Sequence, residues 1–328
     1  MKILIIQTAF IGDVVLSSPL IESLKASYPS SEIHFLVKKG NEALLQDHPH
    51  LARVHVLDKK KKISSIVHLI RAFRNERFDF IINTHRFLSS GLITIFSKGQ
   101  NTVGFDKNPL SVFYSIRIPH VISEQGEQHE VDRNSKLIES LVTHQVRRPR
   151  LYPREIDYEK VPDYSYICIA PCSIWFTKQW PLEKWVDLIN GMPSSIVIHL
   201  IGGPADVSTC EEIKSKVENT DQVIISAGKG HILTSVALIE KAKMTFTNDS
   251  APMHFASAVN APVSAIYCST VPSFGFGPLS DQHFVFETDK DLDCRPCGLH
   301  GKKQCPEGHF NCSEIDFKKI LSSLTNQE

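Results

Sequence analysis

Three short segments carry residues that could do acid, base or anion chemistry, and each follows an apolar run. Ala9-Phe10-Ile11-Gly12-Asp13 comes directly after KILIIQT and leads into VVLSSPLIESL, so Asp13 stands where a helix begins. The helix dipole favours a carboxylate there, so a capping residue with no further task and a functional carboxylate are both open readings. Gly12 beside it permits a tight turn. The second segment, CSIWFTKQWPLEKW from Cys172 to Trp185, offers hydroxyls at Ser173 and Thr177 and a cation at Lys178. Hydroxyls and one lysine after a strand suit a diphosphate, and a surface lysine beside a packed tryptophan is the plainer alternative. In the third, Thr247-Asn248-Asp249-Ser250 precedes APMHFASA. Asp249 or Ser250 can cap that helix, the N–H groups of its first turn can hold a phosphate oxygen, and His254 falls about one turn further on. Taken alone, a histidine at that position is more often structural. GGPAD (Gly202 to Asp206) is a fourth loop, where paired glycines admit a ligand or simply make a turn.

Strands and helices must set these loops on one edge. Residues 2–8, 32–37, 54–58 and 78–85 read as buried strands, with helical spacing after the first and over Ile63 to Asn75. A charged, proline-bearing stretch from Arg147 to Ser165 reads as a linker. Beyond it strands at 166–171, 195–203, 222–228 and 262–268, and MTFT before Asn248, alternate with helices over Leu182 to Asn190, Val207 to Val217, ILTSVALIEKA and Ala251 to Val259. Such alternation implies βαβ units with parallel strands, whose ligands bind at the carboxyl ends. The expectation is two α/β domains, 1–157 and 158–328. The loop after the first strand is not GxGxxG, which counts against a nicotinamide-dependent oxidoreductase.

Composition narrows the partners. The 328 residues are 42% apolar and 22% charged, with 36 basic and 36 acidic side chains, so no global field argues for nucleic acid. The balance is uneven: residues 1–155 hold 22 basic and 15 acidic groups, leaving 14 and 21 for the rest. No apolar run approaches the roughly 18 residues a membrane-spanning helix needs, and the first residues read as a strand and not as a secretory signal, so the protein is expected to be cytoplasmic. Cys294, Cys297, Cys305 and Cys312 cluster near the end. Four thiolates can close a structural site around zinc or iron, with His300 or His309 able to substitute; free thiols and disulfides are the other readings.

Taken in order and spacing, KILIIQTAFIGDVVLSSPLIESLKASYP, CSIWFTKQWPLEKW, IGGPAD and TNDSAPMHFASA resemble the family-9 glycosyltransferases, the ADP-heptose:lipopolysaccharide heptosyltransferases, over nearly the whole chain. The resemblance implies a GT-B fold: two Rossmann-like domains with parallel sheets facing a central cleft, acceptor in the first, nucleotide sugar in the second, and a last helix (about Glu314 to Leu324) packing back on the first. It implies an inverting transfer with Asp13 as the general base, Gly12 beside the acceptor, Lys178 neutralising the leaving diphosphate, and Ser173, Thr177, Asp249, Ser250, Ala251 and His254 around the donor. Ala251 stands where the family most often has glycine, which puts a methyl group near the phosphate path. The implied partners are ADP-heptose and a lipopolysaccharide core or lipid A–Kdo acceptor, with peripheral contact at the inner face of the inner membrane. No DxD-like pair accompanies the donor loops, so no cofactor is expected for catalysis. The basic surplus of the first half fits an anionic acceptor. A non-catalytic nucleotide-sugar binding protein and a transferase of another sugar are the alternatives.

Overall fold

The computed structural model describes residues 1–123, 126 and 128–325. The chain forms two compact units that meet in sequence between Tyr152 and Pro153, slightly before the expected boundary. In the first unit come β1 (Lys2–Ile6), α1 (Ile11–Ser27), β2 (Glu32–Lys38), β3 (Arg53–Leu57), α2 (Lys62–Glu76), β4 (Phe80–Asn83), α3 (Leu88–Phe96), β5 (Asn101–Phe105), β6 (Ile116–Ile118) and α4 (Glu130–Ser135). The second unit holds α5 (Glu155–Tyr158), β7 (Tyr166–Ala170), α6 (Leu182–Asn190), β8 (Val197–Leu200), α7 (Val207–Lys216), β9 (Val223–Ile225) and α8 (Ile232–Lys241). It continues with β10 (Thr245–Asn248), α9 (Ala251–Val259), β11 (Val263–Tyr267), β12 (His283–Glu287) and α10 (Phe317–Thr325).

Each unit is built on a six-stranded sheet in which neighbouring strands pair in parallel, ordered β3-β2-β1-β4-β5-β6 and β12-β11-β10-β7-β8-β9. Numbered within its own unit, the second order read backwards is the same as the first. In both sheets the direction of winding reverses next to the first strand, between β1 and β4 and between β7 and β10. That reversal opens a crevice at the carboxyl ends of the strands, and three of the four loops singled out above, those after β1, β7 and β10, leave from it. β1 after Lys2, and β7 throughout, are apolar because both faces are covered: Ile3 to Ile6 and Ile167 to Ile169 have almost no exposure.

Local chemistry explains several details. α1 keeps a proline at position 19 because the Val15 carbonyl, which loses its amide partner there, accepts the Ser18 hydroxyl at 2.7 Å. Strands β5, β6 and β12 were not expected. β5 reads NTVGF, polar at its first two positions, and its glycine is needed because a Cβ on Gly104 would stand 2.5 Å from the Tyr114 ring. α10 belongs to the second unit: Phe317, Leu321 and Leu324 pack on the core formed by Trp185, Ile189 and their neighbours, and the Ser323 hydroxyl lies 2.8 Å from that of Ser264. Among the described residues no helix is long and apolar enough to cross a membrane.

Candidate active site

In the first unit, the chain leaving β1 is tied to the chain leaving β4. Thr84 donates twice to the Ile6 carbonyl, through its N–H at 3.1 Å and its hydroxyl at 3.0 Å. The Thr8 hydroxyl lies 3.0 Å from His85 Nδ1. Between these strands α1 begins. Its N-cap is Phe10, and Asp13 is the third helical residue, whose Oδ2 accepts the Phe10 N–H at 3.1 Å. Asp13 therefore closes the first turn from inside and is not the cap. Gly12 is also helical and half-buried, so it makes no tight turn; what it contributes is a missing side chain beside Asp13.

Burial pushes the Asp13 carboxyl up to about 6, the negative Glu130 adds to the rise, and the Phe10 N–H and the Arg86 cation oppose it. Glu130 opens α4, where Arg133 Nε donates to it at 2.6 Å and His120 Nε2 lies 3.3 Å away. His85 is buried and pushed down to about 3, by desolvation first and by Lys59 and Arg86 next, so its ring stays neutral near pH 7. Lys38, at the end of β2, sits 4.6 Å above the Phe10 ring, and burial lowers its pKa against the attraction of Asp13. A carboxylate with a pKa near neutrality thus stands among Lys38, Lys59 and Arg86, a setting that suits proton transfer to a base beside an anionic molecule. Sequence reasoning missed His85, Arg86 and Glu130. THRF follows a buried strand, so the loop rule that found Asp13 would have found the first two; Glu130 follows a stretch with no periodicity.

In the second unit Lys178 and Asp249 meet: Nζ to Oδ2 is 2.6 Å, with both side chains largely withdrawn from solvent. The same Oδ2 accepts the Thr270 hydroxyl at 2.6 Å. Lys178 comes from the loop after β7, Asp249 from the end of β10 and Thr270 from the loop after β11, so three neighbouring strands converge on one ion pair. Asn248 fixes the register: its Oδ1 accepts the Trp180 N–H at 2.9 Å and its Nδ2 donates to the Pro171 carbonyl at 2.8 Å.

Thr177, expected beside the donor, has another task. It is buried, and its hydroxyl oxygen accepts from the Ser269 hydroxyl at 2.9 Å and from the Lys302 N–H at 2.7 Å. Ser173 is half-buried and its N–H donates to Gln179 Oε1 at 3.0 Å. Ser250 is the N-cap of α9, with its hydroxyl 3.3 Å from that of Thr247. Pro252 has no N–H and that of Met253 bonds the Ser250 carbonyl at 3.1 Å, so the helix start offers fewer donors to an anion than the bare sequence suggested. Ala251 is half-buried beside it, and His254 is buried on the face of α9 that packs inward. In the GGPAD loop Asp206 Oδ2 accepts the Gly203 N–H at 2.7 Å, and a Cβ on Gly202 would stand 2.8 Å from that carboxylate oxygen.

Among the described residues the cysteine segment does not bring three ligand atoms within 4.8 Å of one another. Cys312 is buried in the apolar core, and Cys294, Cys297 and Cys305 are half-buried thiols with no disulfide among the eight cysteines. The Cys297 thiol donates to the Cys294 carbonyl, and Cys294 Sγ lies 4.0 Å from His309 Nε2. Among the described residues the one group of three or more potential ligand atoms within 4.8 Å of one another is Glu32, His34 and Glu76, where the Lys2 ammonium already sits 3.3 Å and 2.7 Å from the two carboxylates. The segment instead works as a strap. Arg295 donates to the carbonyls of Cys268 and Thr270 at 2.6 and 2.8 Å, Lys302 pairs with Thr177 through both backbone groups, and Gly301 lets the Lys178 stem pass, since a Cβ there would stand 2.7 Å from Lys178 Cγ.

Comparison with known proteins gives the family and the fold. The family model described as glycosyltransferase family 9 (heptosyltransferase) matches residues 66–310. A lipopolysaccharide heptosyltransferase 3 of Escherichia coli is 28% identical over 280 residues, 80% of this chain and 82% of that protein. The lipopolysaccharide heptosyltransferase 1 of Campylobacter coli is 30% identical across 98% of this chain and 97% of its own. Among solved structures, that of E. coli ADP-heptose lps heptosyltransferase II superposes with a TM-score of 0.81 at 22% identity, covering 99% of this chain and 98% of that one, which shows a shared GT-B fold.

Proposed function

The chain belongs to glycosyltransferase family 9, the lipopolysaccharide heptosyltransferases, and on that premise we propose that it transfers a heptose from ADP-heptose to an acceptor sugar of the lipopolysaccharide inner core with inversion at the anomeric carbon. The donor assignment draws support from the relative of the same fold described as an ADP-heptose enzyme. The observation that carries the reading is the Lys178–Asp249 pair at the winding reversal of the second sheet, a cation held ready where a nucleotide diphosphate would lie.

In this reading the acceptor hydroxyl gives its proton to Asp13 as its oxygen bonds the anomeric carbon. The bond from that carbon to the diphosphate oxygen breaks, and ADP leaves with the electron pair. Lys178 meets the charge that develops on the leaving oxygen. Asp249, already engaged by Lys178 and Thr270, acts as a positioning residue; a bare carboxylate facing the diphosphate would repel it. The cation on the leaving-group side is thus supplied by the chain itself, and catalysis is read as needing no cofactor. A lipid-anchored acceptor sets the reaction at the inner face of the inner membrane.

Calorimetry with ADP-heptose, and with UDP- and GDP-sugars as controls, tests the donor half: wild type should bind ADP-heptose selectively and Lys178→Ala should lose it. Asp13→Asn should abolish transfer and keep donor binding. Binding unchanged in Lys178→Ala, or transfer surviving in Asp13→Asn, would remove the residue concerned from the mechanism.

A further inference from the structure

The first unit presents apolar side chains that its own fold leaves uncovered. Phe87 and Leu88, at the start of α3, are 59% and 51% exposed, and Val112 and Phe113 are 64% and 68% exposed. These four belong to one surface because Asn108 straps the loop before β6 onto the start of α3. Its Nδ2 donates to the carbonyls of His85 and Phe87 at 3.0 Å each, and its Oδ1 accepts the Leu110 N–H at 3.0 Å. The approach is close enough to need Gly91, where a Cβ would stand 2.3 Å from Asn108 Oδ1. The far end of the loop is pinned too, by Asn83 Nδ2 donating to the buried Tyr114 hydroxyl at 2.9 Å. The exposed side chains are therefore held outward by a built framework. The surface continues toward Asp13: the Phe87 ring lies 4.8 Å from that of His85, and the exposed Phe10 caps the helix that carries Asp13.

Charge accompanies the patch. From residue 80 to 118 the ionic side chains are Arg86, Lys98, Lys107 and Arg117 against Asp106, and Arg117 lies exposed beside Ile116 on the edge strand β6. Single exposed apolar residues are ordinary, but a contiguous set among predominantly positive charges marks an interaction surface. Apolar side chains at the level of the headgroups, with lysine and arginine facing phosphates, are what holds a protein on an anionic bilayer.

We propose that the surface formed by Phe87, Leu88, Val112 and Phe113, with Lys107 and Arg117, docks the protein on a bilayer of anionic phospholipid. The proposal rests on the acceptor being lipid-anchored and names the partner of that same acceptor site: the bilayer that presents the acceptor also holds the enzyme. Docking leaves Asp13 beside the membrane face, so the acceptor sugar is reached by diffusion within the plane.

Co-sedimentation with vesicles of phosphatidylethanolamine and phosphatidylglycerol, against vesicles of phosphatidylcholine, tests it. Wild type should bind the anionic vesicles, and the double variant Val112→Asp/Phe113→Asp should bind them about tenfold or more weakly, with its melting temperature and its transfer to a deacylated, water-soluble acceptor unchanged. Its KM for the same acceptor embedded in vesicles should rise. Equal binding of the two vesicle types, or undiminished binding by the variant, overturns the proposal. A concentration-dependent dimer that the variant loses also overturns it, by assigning the patch to a second copy. Failure of wild type to transfer heptose to either acceptor would strike the proposed reaction while leaving the vesicle result to stand on its own.

Discussion

Asp13 sits where its charge is disfavoured, and that sets both its reactivity and its effect on stability. With the carboxyl pushed up to about 6, the base is available above that pH, so kcat/KM for the soluble acceptor should fall tenfold per pH unit below about pH 6 and level off above it. The same shift opposes folding. A carboxyl whose pKa is higher in the folded chain than in the unfolded one favours the folded state at low pH and loses that contribution as the pH rises through about 6. Asp13→Asn should therefore melt no lower than wild type at pH 8 while losing transfer, an outcome that separates a catalytic residue from a structural one. Gly301 is the counterpart at the other loop cluster. Its φ of +73°, and the mere 2.7 Å that would separate a Cβ there from Lys178 Cγ, mean that Gly301→Ala must displace the lysine stem, and about tenfold weaker ADP-heptose binding is expected by calorimetry. Asp13, Lys178, Asp249 and Ser250 were legible in the sequence because each ends or follows a strand. The structural duty of Thr177 was not, since its partner Lys302 lies 125 residues away.

At the scale of elements, the sequence is plainest where burial is two-sided. β7 is an unbroken apolar run, β1 is one after Lys2, and β2 and β11 are each interrupted only once inside, by His34 and Ser264; the ends of α6 and α9 fall where the spacing put them. β5 and β12 were hidden for different reasons. β12 lies at the edge of its sheet and is only half-buried, so it carries no run. β5 gives up a side chain at Gly104 to admit the Tyr114 ring, a contact that no local pattern announces. Gly104→Val should accordingly destabilise the first unit by about 1–3 kcal/mol through overpacking, measured by urea unfolding followed through a probe in that unit. α10 was legible as a helix but its packing was not, because its apolar face fits any core and only the structure shows Ser323 meeting Ser264.

Across the whole molecule, the two units repeat one strand order but differ in what they bury. His48 and His55 are pushed down to about 4 and His85 to about 3, in each case chiefly by desolvation, and all three lie in the first unit. A histidine held neutral by folding contributes stability above its unfolded pKa near 6.5 and loses it as the pH falls toward the folded value, at a cost of roughly 1 to 3 kcal/mol each by pH 4.5. Asp13 offsets only a part of that loss. Acidification from pH 7 to 4.5 should thus melt the first unit ahead of the second, seen as two separated transitions by calorimetry. The cysteines have the opposite distribution: the first in the sequence is Cys168, so all eight lie in the second unit, with Cys168, Cys210, Cys268 and Cys312 buried and the remainder half-buried. The chain therefore carries its own stopwatch. A maleimide should modify four thiols quickly and four only when the second unit opens, blind to events in the first. A ligand that binds the folded second unit slows the late set by the factor 1 + [L]/Kd, so mass spectrometry of alkylated protein would rank nucleotide sugars by affinity with no acceptor in the tube.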